Sequence, residues 1–295
     1  MDVLIDANIL IPAEPTSPSD IEPTTPVVTE LMRLVQETGG RILIHPDSRH
    51  GELLLKPVLE HAHVHGYDTV FVESKPSNEE LFSFLDTFGF HDTGRFKNGT
   101  DPVFAKTLRV PDDGAPGLNH LEFHVAFGPP TLRWLGVPAF IVPIRPRFHS
   151  RLFPEAERQL ALSPATEPHA NGIRKAYLSK GASRQLTPGS VLYFYRSQGQ
   201  EVTVVGVVED VHVLSDALSI VRAAGKRTLF SYEDIETIGA ADTDVLVIGF
   251  RQARVLDEPI SYGELHQTGV LKGPPQTVTS VDPEAATWLA QRARL

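Results

Sequence analysis

Three groups of residues in this chain could do chemistry by their type and spacing. The first is a set of rings beside a cation: the apolar run Val191-Leu192-Tyr193-Phe194-Tyr195 ends in Arg196-Ser197. An aromatic strand closed by an arginine can offer ring faces next to a fixed positive charge, which suits a base or another flat polar ligand. Arg174, Lys175, Lys226 and Arg227 lie in the same half of the chain and, with Arg196, make a local cationic cluster that could meet phosphate. The second is a carboxylate: Asp6 closes the short apolar run MDVLID, and the carboxyl end of a parallel strand is where an α/β sheet exposes catalytic groups. Asp6 also suits the plainer role of capping the turn after that strand. The third is a set of histidines. His61 and His65, in HAHVHG, are spaced i,i+4 as zinc ligands on one helix face would be. The dipole of a helix C-terminus favours histidine there as well, and that plainer reading carries more weight. His120, Glu122 and His124 share one face if residues 120–127 form a strand, although exposed strand faces are usually just polar.

Composition narrows what these groups can be. The chain has 295 residues, enough for two ordinary domains. It has no cysteine, which excludes a disulfide framework and thiolate chemistry. No apolar run reaches the ~18 residues of a membrane helix, and the start lacks a basic signal-peptide pattern. The expectation is a cytoplasmic protein with no membrane partner. The net charge of −10 is unevenly placed: residues 1–137 carry 10 Lys/Arg against 20 Asp/Glu, and residues 138–295 carry 17 of each. An acidic chain lacks general affinity for nucleic acid, so any such binding must come from a local basic site in the second half.

The elements that must position these groups follow from periodicity. Met1–Leu10 and Arg41–Ile44 read as parallel strands around a helix at Val27–Glu37. A helix from Gly51 to Gly66, a strand at Asp68–Glu73, a helix at Asn78–Phe88 and a strand at Val103–Leu108 follow, a β-α-β-α-β-α-β order that predicts one hybrid parallel sheet. Pro111–Asn119 is turn-rich and marks a boundary. His120–Phe127 alternates with period two and reads as a strand, and Gly128-Pro129-Pro130 opens a linker. Pro138–Ile144 is a strand, Ala170–Ser179 reads as a short helix, and Pro188-Gly189 turns the chain into the aromatic strand. Val202–Val208 pairs with it, Ser215–Ala224 is an amphipathic helix, and Gly225-Lys226-Arg227-Thr228 is a basic turn. A helix capped by Ser231, a strand at Val245–Arg254, a helical turn at Tyr262–Gln267 and a closing helix at Pro283–Arg292 complete the pattern. The near-continuous apolar strands of this half predict a small closed barrel.

Several stretches resemble known families. IRKAYL, PGSVLYFYRS, GKRTLFSYEDI, VLVIGFR and PPQTV occur in the order seen in the EVE and ASCH branch of PUA-like barrels, from about Phe140 to the C-terminus. That resemblance implies an α+β PUA-like barrel that binds RNA or modified DNA, often at a modified base in an aromatic-lined pocket. Tyr195, Arg196 and Ser197 match the strand that walls the pocket, and Lys226, Arg227 and Thr228 match the loop opposite. Ser190 stands where the family usually has aspartate after Pro-Gly, which implies a weaker turn. The opening strand resembles that of PIN-domain ribonucleases, in which Asp6 would be one of several acids holding Mg²⁺. GELLLK…GYDTVFVES…NEELFSFLDTFGF looks like the C-terminal half of the GNAT acetyltransferase fold. There Arg49, Gly51 and Glu52 would meet the pyrophosphate of acetyl-CoA. Each of these two resemblances covers only part of its family's fold.

The expected organisation is a partial PIN-like segment at 1–48, a partial GNAT-like segment at 49–110, a strand and linker at 111–137, and an EVE/ASCH PUA-like domain at 138–295. The favoured function is a nucleic-acid or modified-base reader of a toxin-antitoxin or defence type. The candidate ligand residues are Arg174, Lys175, Tyr195, Arg196, Ser197, Lys226, Arg227 and Thr228. The alternatives are an acyl-CoA-dependent N-acetyltransferase and a metal-dependent ribonuclease.

Overall fold

The short apolar runs at the start of the chain pair as their pattern requires. The computed structural model describes residues 3–5, 42–44, 51–76, 79–157, 172–180, 185–239 and 244–295. β1 (Val3–Ile5) and β2 (Ile42–Ile44) are parallel neighbours. Asp6 and Arg49, the proposed metal and coenzyme residues, lie outside the described residues, as does the side chain of Glu52. Contacts divide the described residues into two units, one reaching Val110 and including Val125–Phe127, the other holding the remainder.

In the first unit, α1 (Gly51–Val64) is followed by β3 (Thr69–Glu73), α2 (Glu79–Thr87), β4 (His91–Lys97) and β5 (Asp101–Thr107). Leu55 and Leu59 of α1, Leu85 of α2 and Phe104 of β5 are buried. The three strands form their own sheet in the order β3-β5-β4, and both pairings are antiparallel. The expected hybrid parallel sheet is therefore not formed. Asn98-Gly99 explains the difference: both residues have positive φ, at 53° and 78°, and Asn-Gly is the pair that a tight hairpin selects. That turn folds β4 back on β5, where the sequence reading had no strand at residues 91–97.

The second unit begins with α3 (His120–Phe127), which the contact division shares with the first unit, and which the alternation rule read as a strand. Its start is fixed by a capping box. The Asn119 side chain accepts from the Glu122 amide, and the Glu122 carboxylate accepts from the Asn119 amide. Two otherwise orphaned amides are thereby satisfied, which outweighs an alternation of only eight residues. A helix also separates the proposed metal trio, since Glu122 now points into the cap while His124 is buried against the Thr131 carbonyl.

A six-stranded sheet forms the rest of this unit, in the order β11-β6-β8-β9-β10-β7. Its strands are β6 (Ala139–Ile144), β7 (Arg174–Lys180), β8 (Val191–Arg196), β9 (Glu201–Leu214), β10 (Val245–Ser261) and β11 (Thr279–Val281). Only β6 and β8 run parallel. β7 replaces the helix expected at 170–179. Arg174, Ala176 and Leu178 lie on one face and Lys175 and Tyr177 on the other, so the period was two; a lysine buried at 175 disguised it. The helices are α4 (Pro146–Leu152), α5 (Ala217–Ala224), α6 (Tyr232–Gly239), α7 (Tyr262–Gln267) and α8 (Pro283–Arg292), with a 3-10 turn at Gly225–Arg227.

The sheet is open rather than a closed barrel. β7 and β11 are its edges, and among the described residues no ladder joins them. Residues near the two edges are linked by a side chain instead: the Tyr177 hydroxyl donates to the Pro143 carbonyl at 2.8 Å. One face carries Phe140, Val142, Leu192, Phe194, Leu246, Ile248 and Phe250, covered by Leu152 and Phe153. The other face carries Val191, Tyr193, Tyr195, Val205 and Val207 against Leu265 and Leu289, and, further along, Ala176, Val245 and Val247 against Ile220 and Ile235. Bulges make this division possible. Leu246, Ile248 and Phe250 face the first cluster, but after the irregularity at 252–254 it is Val255 that does so, while Leu256 faces away. Among the described residues no helix is long and apolar enough to cross a membrane.

Candidate functional site

Each candidate ligand residue takes a definite place. Tyr195 is 1% exposed within the core, so its ring faces are covered and the expected stacking platform is not presented. Burial, and then the neighbouring Tyr262, pushes its hydroxyl above the ordinary value. Lys175 is fully buried; its ammonium donates to the Leu152 carbonyl at 2.7 Å and lies 5.6 Å from the Phe153 ring centre. Arg196 donates to Glu157 at 3.1 Å and also to Glu201, so two carboxylates hold the cation that was expected to face a ligand. The Ser197 amide donates to the Ile144 carbonyl, and the buried Thr228 hydroxyl accepts from the Phe230 amide. The side chain of Lys226 lies outside the described residues. The turn before β8 is braced by Ser190 itself, whose hydroxyl accepts from the Thr187 amide at 3.2 Å.

Arg174 and Arg227 are brought together, and they meet partners that the sequence reading did not name. α5 packs on the sheet through Ile220 and Ala224, and the 3-10 turn after it carries Arg227 to the face that holds Arg174. In β10 Arg251 stands opposite Arg174. β9 has a bulge here, with Val208 opposite Phe250 and Asp210 opposite Gly249, so Glu209 is the extra residue. A bulge re-aims side chains that would otherwise alternate. As a result Glu209 and Asp210, though consecutive, both approach Arg227, at 3.5 and 3.6 Å. Asp210 lies flat on the sheet because residue 249 is glycine; a Cβ there would sit 2.4 Å from its Oδ1.

Glu209 is the centre of this group. Its Oε2 accepts from Arg174 Nε at 2.8 Å and its Oε1 from Arg251 at 2.9 Å. Burial alone would raise its pKa, but Arg251, then Arg174, overcome that effect and hold the carboxyl below its ordinary value. Arg251 is 5% exposed and Glu209 14%, whereas Arg174 and Arg227 are 29% and 23% exposed. The two outer guanidiniums thus face solvent above an inner ion pair. Among the described residues, three arginines meet two carboxylates here, in a chain whose net charge is −10. Such a site suits an anion with several oxygens, because guanidinium forks match carboxylate and phosphate.

A second polar group joins α4 to the sheet. His149 is fully buried, with Nε2 2.6 Å from the Thr203 hydroxyl and Nδ1 3.1 Å from Glu157. A carboxylate only accepts, so Nδ1 carries the proton and Thr203 donates to Nε2. Burial lowers the His149 pKa, while Glu157 opposes the shift. Thr203 is 2% exposed, so its bond with His149 lies inside the fold. Among the described residues no group of three or more His, Cys, Asp or Glu could hold a metal ion.

No protein-family model matches the chain, and no curated protein matches it. Several solved structures are similar to it. ASCH from Zymomonas mobilis aligns at 12% identity over 52% of this chain and 94% of that one, with a TM-score of 0.41. Human THYN1, in complex with 5-methylcytosine containing DNA, aligns at 12% identity over 54% and 98%, with a TM-score of 0.31. Rpa0253 from Rhodopseudomonas palustris aligns at 10% identity over 54% and 94%, also at 0.31. The PIN-like and GNAT-like resemblances find no support in these comparisons.

Proposed function

We propose that the chain binds nucleic acid, with Arg174 and Arg227, held above the inner Arg251–Glu209 pair, as its phosphate contact. The observation that carries this reading is the convergence of three arginines from three separate elements, two of them partly exposed, in a chain of net charge −10. The ordered EVE- and ASCH-like motifs of residues 140–295 support the same class of ligand. Because Tyr195 is buried and Arg196 is held by two acids, affinity rests on the arginine cluster rather than on the end of β8.

The test is fluorescence anisotropy of the full chain with labelled duplex DNA, with and without a modified base, and with single-stranded RNA. Removing one phosphate contact costs about 1 kcal/mol or more, so Arg227→Ala should bind at least fivefold more weakly. Tyr195→Phe should bind like the wild type. Equal binding by wild type and Arg227→Ala would remove the proposal.

A further inference from the structure

The arginine cluster already contains an anion, and its geometry is that of a ligand contact. Each Glu209 oxygen accepts from a different guanidinium, Oε2 from Arg174 and Oε1 from Arg251, which is how a phosphate would also engage two arginines. Arg227 completes neither carboxylate. It stands 3.5 Å from Glu209 and 3.6 Å from Asp210, beyond good hydrogen-bond range for a charged pair, and its buried NH1 has no hydrogen-bond partner among the described residues. Its NH2 is fixed to the Ala223 carbonyl at 2.8 Å, so the side chain is positioned and one donor is unused.

Resting on the phosphate-contact reading, we propose that Glu209, seconded by Asp210, is a built-in counter-anion that limits the affinity of the cluster for phosphate and so makes binding depend on the rest of the ligand. An anion arriving from solvent meets the exposed edges of Arg174 and Arg227 with Glu209 beneath them, and that like charge opposes it. Three bare arginines would hold any phosphodiester. With two carboxylates among them, a phosphate alone gains little, and indiscriminate binding is suppressed by repulsion rather than by missing contacts. Gly249 belongs to the device, since only a residue without Cβ lets Asp210 lie within reach of Arg227.

The experiment compares full-length wild type, Glu209→Gln, Asp210→Asn and Arg227→Ala by anisotropy with one duplex DNA and one unrelated single-stranded RNA. Glu209→Gln should bind the weaker probe about tenfold more tightly and the tighter probe by a smaller factor, narrowing the difference between them, and Asp210→Asn should bind the weaker probe about threefold more tightly. Thermal melting of each variant accompanies the titrations. Should Glu209→Gln fail to fold, Asp210→Asn decides, because its carboxylate is a third exposed. Weaker binding by Arg227→Ala with no gain in the folded acid variants would overturn the counter-anion proposal and leave the phosphate contact standing. No change in Arg227→Ala would remove both.

Discussion

The residues that explain most about this molecule are charged groups placed inside apolar strands. Glu209-Asp210 follow the aliphatic run of β9, and Arg251 interrupts VLVIGFRQAR. A charge in such a place must find a partner, because leaving it unpaired costs several kcal/mol. His149 is the corresponding buried group at α4, and it gives a pH prediction. Its folded pKa lies below the ordinary 6.5, so the unfolded chain binds the proton more readily. Its contribution to stability is therefore full above 6.5 and is lost as pH falls through the lowered folded value. The groups facing it are Thr203, Glu157, Arg196 and Glu201. Denaturant unfolding between pH 7 and about pH 5 should show falling stability, and His149→Asn should flatten that slope. Thr203→Val leaves the Nε2 acceptor without its donor and should cost about 1–3 kcal/mol at neutral pH. A pH slope unchanged in His149→Asn would contradict this account.

At the scale of elements, β6, β8, β9, β10, α7 and α8 were legible because their patterns are long or carry strong caps. β8 and β9 are aliphatic and aromatic runs separated by a Gln-Gly-Gln turn, and α7 opens with Ser261 and Glu264 in a capping box. Two elements were misread for opposite reasons. In α3 the alternation of Leu121, Phe123, Val125 and Phe127 was real, but Asn119 and Glu122 carried the stronger signal. In β7 the alternation was hidden by Lys175, whose burial depends on the Leu152 carbonyl supplied by a distant segment. The site was half legible. Arg174 and Arg227 stood out as cations, whereas Glu209 and Arg251 became candidates only once the bulge and the strand pairing placed them. The cap yields a prediction: Asn119→Ala should destabilise the protein by about 1 kcal/mol, and Asn119→Asp should be close to neutral. Thermal melting decides, and an Asn119→Ala variant as stable as the wild type would show that the cap is dispensable.

For the whole molecule, contacts give Pro111–His124 to the second unit and Val125–Phe127 to the first. Leu132 and Val137 are buried in the core formed by β8, β9, β10, α7 and α8, Leu121 packs against it, and the Arg133 guanidinium sits 4.3 Å over the Phe123 ring. We therefore expect residues 111–295 to fold alone. Residues 138–295 should be less stable, because burying each large apolar side chain contributes about 1.5–3 kcal/mol. Equal stability of the two fragments in urea would contradict this. The acidic first half gives the chain its negative charge, and the arginine cluster must act against that background. The most direct test of the account is therefore the salt dependence of nucleic-acid binding by the full chain. Log affinity against log salt should be a descending line, and Arg174→Ala and Arg227→Ala should each flatten it by about one phosphate contact. A slope identical in wild type and both variants would mean that the cluster does not touch phosphate, and the central claim would fail.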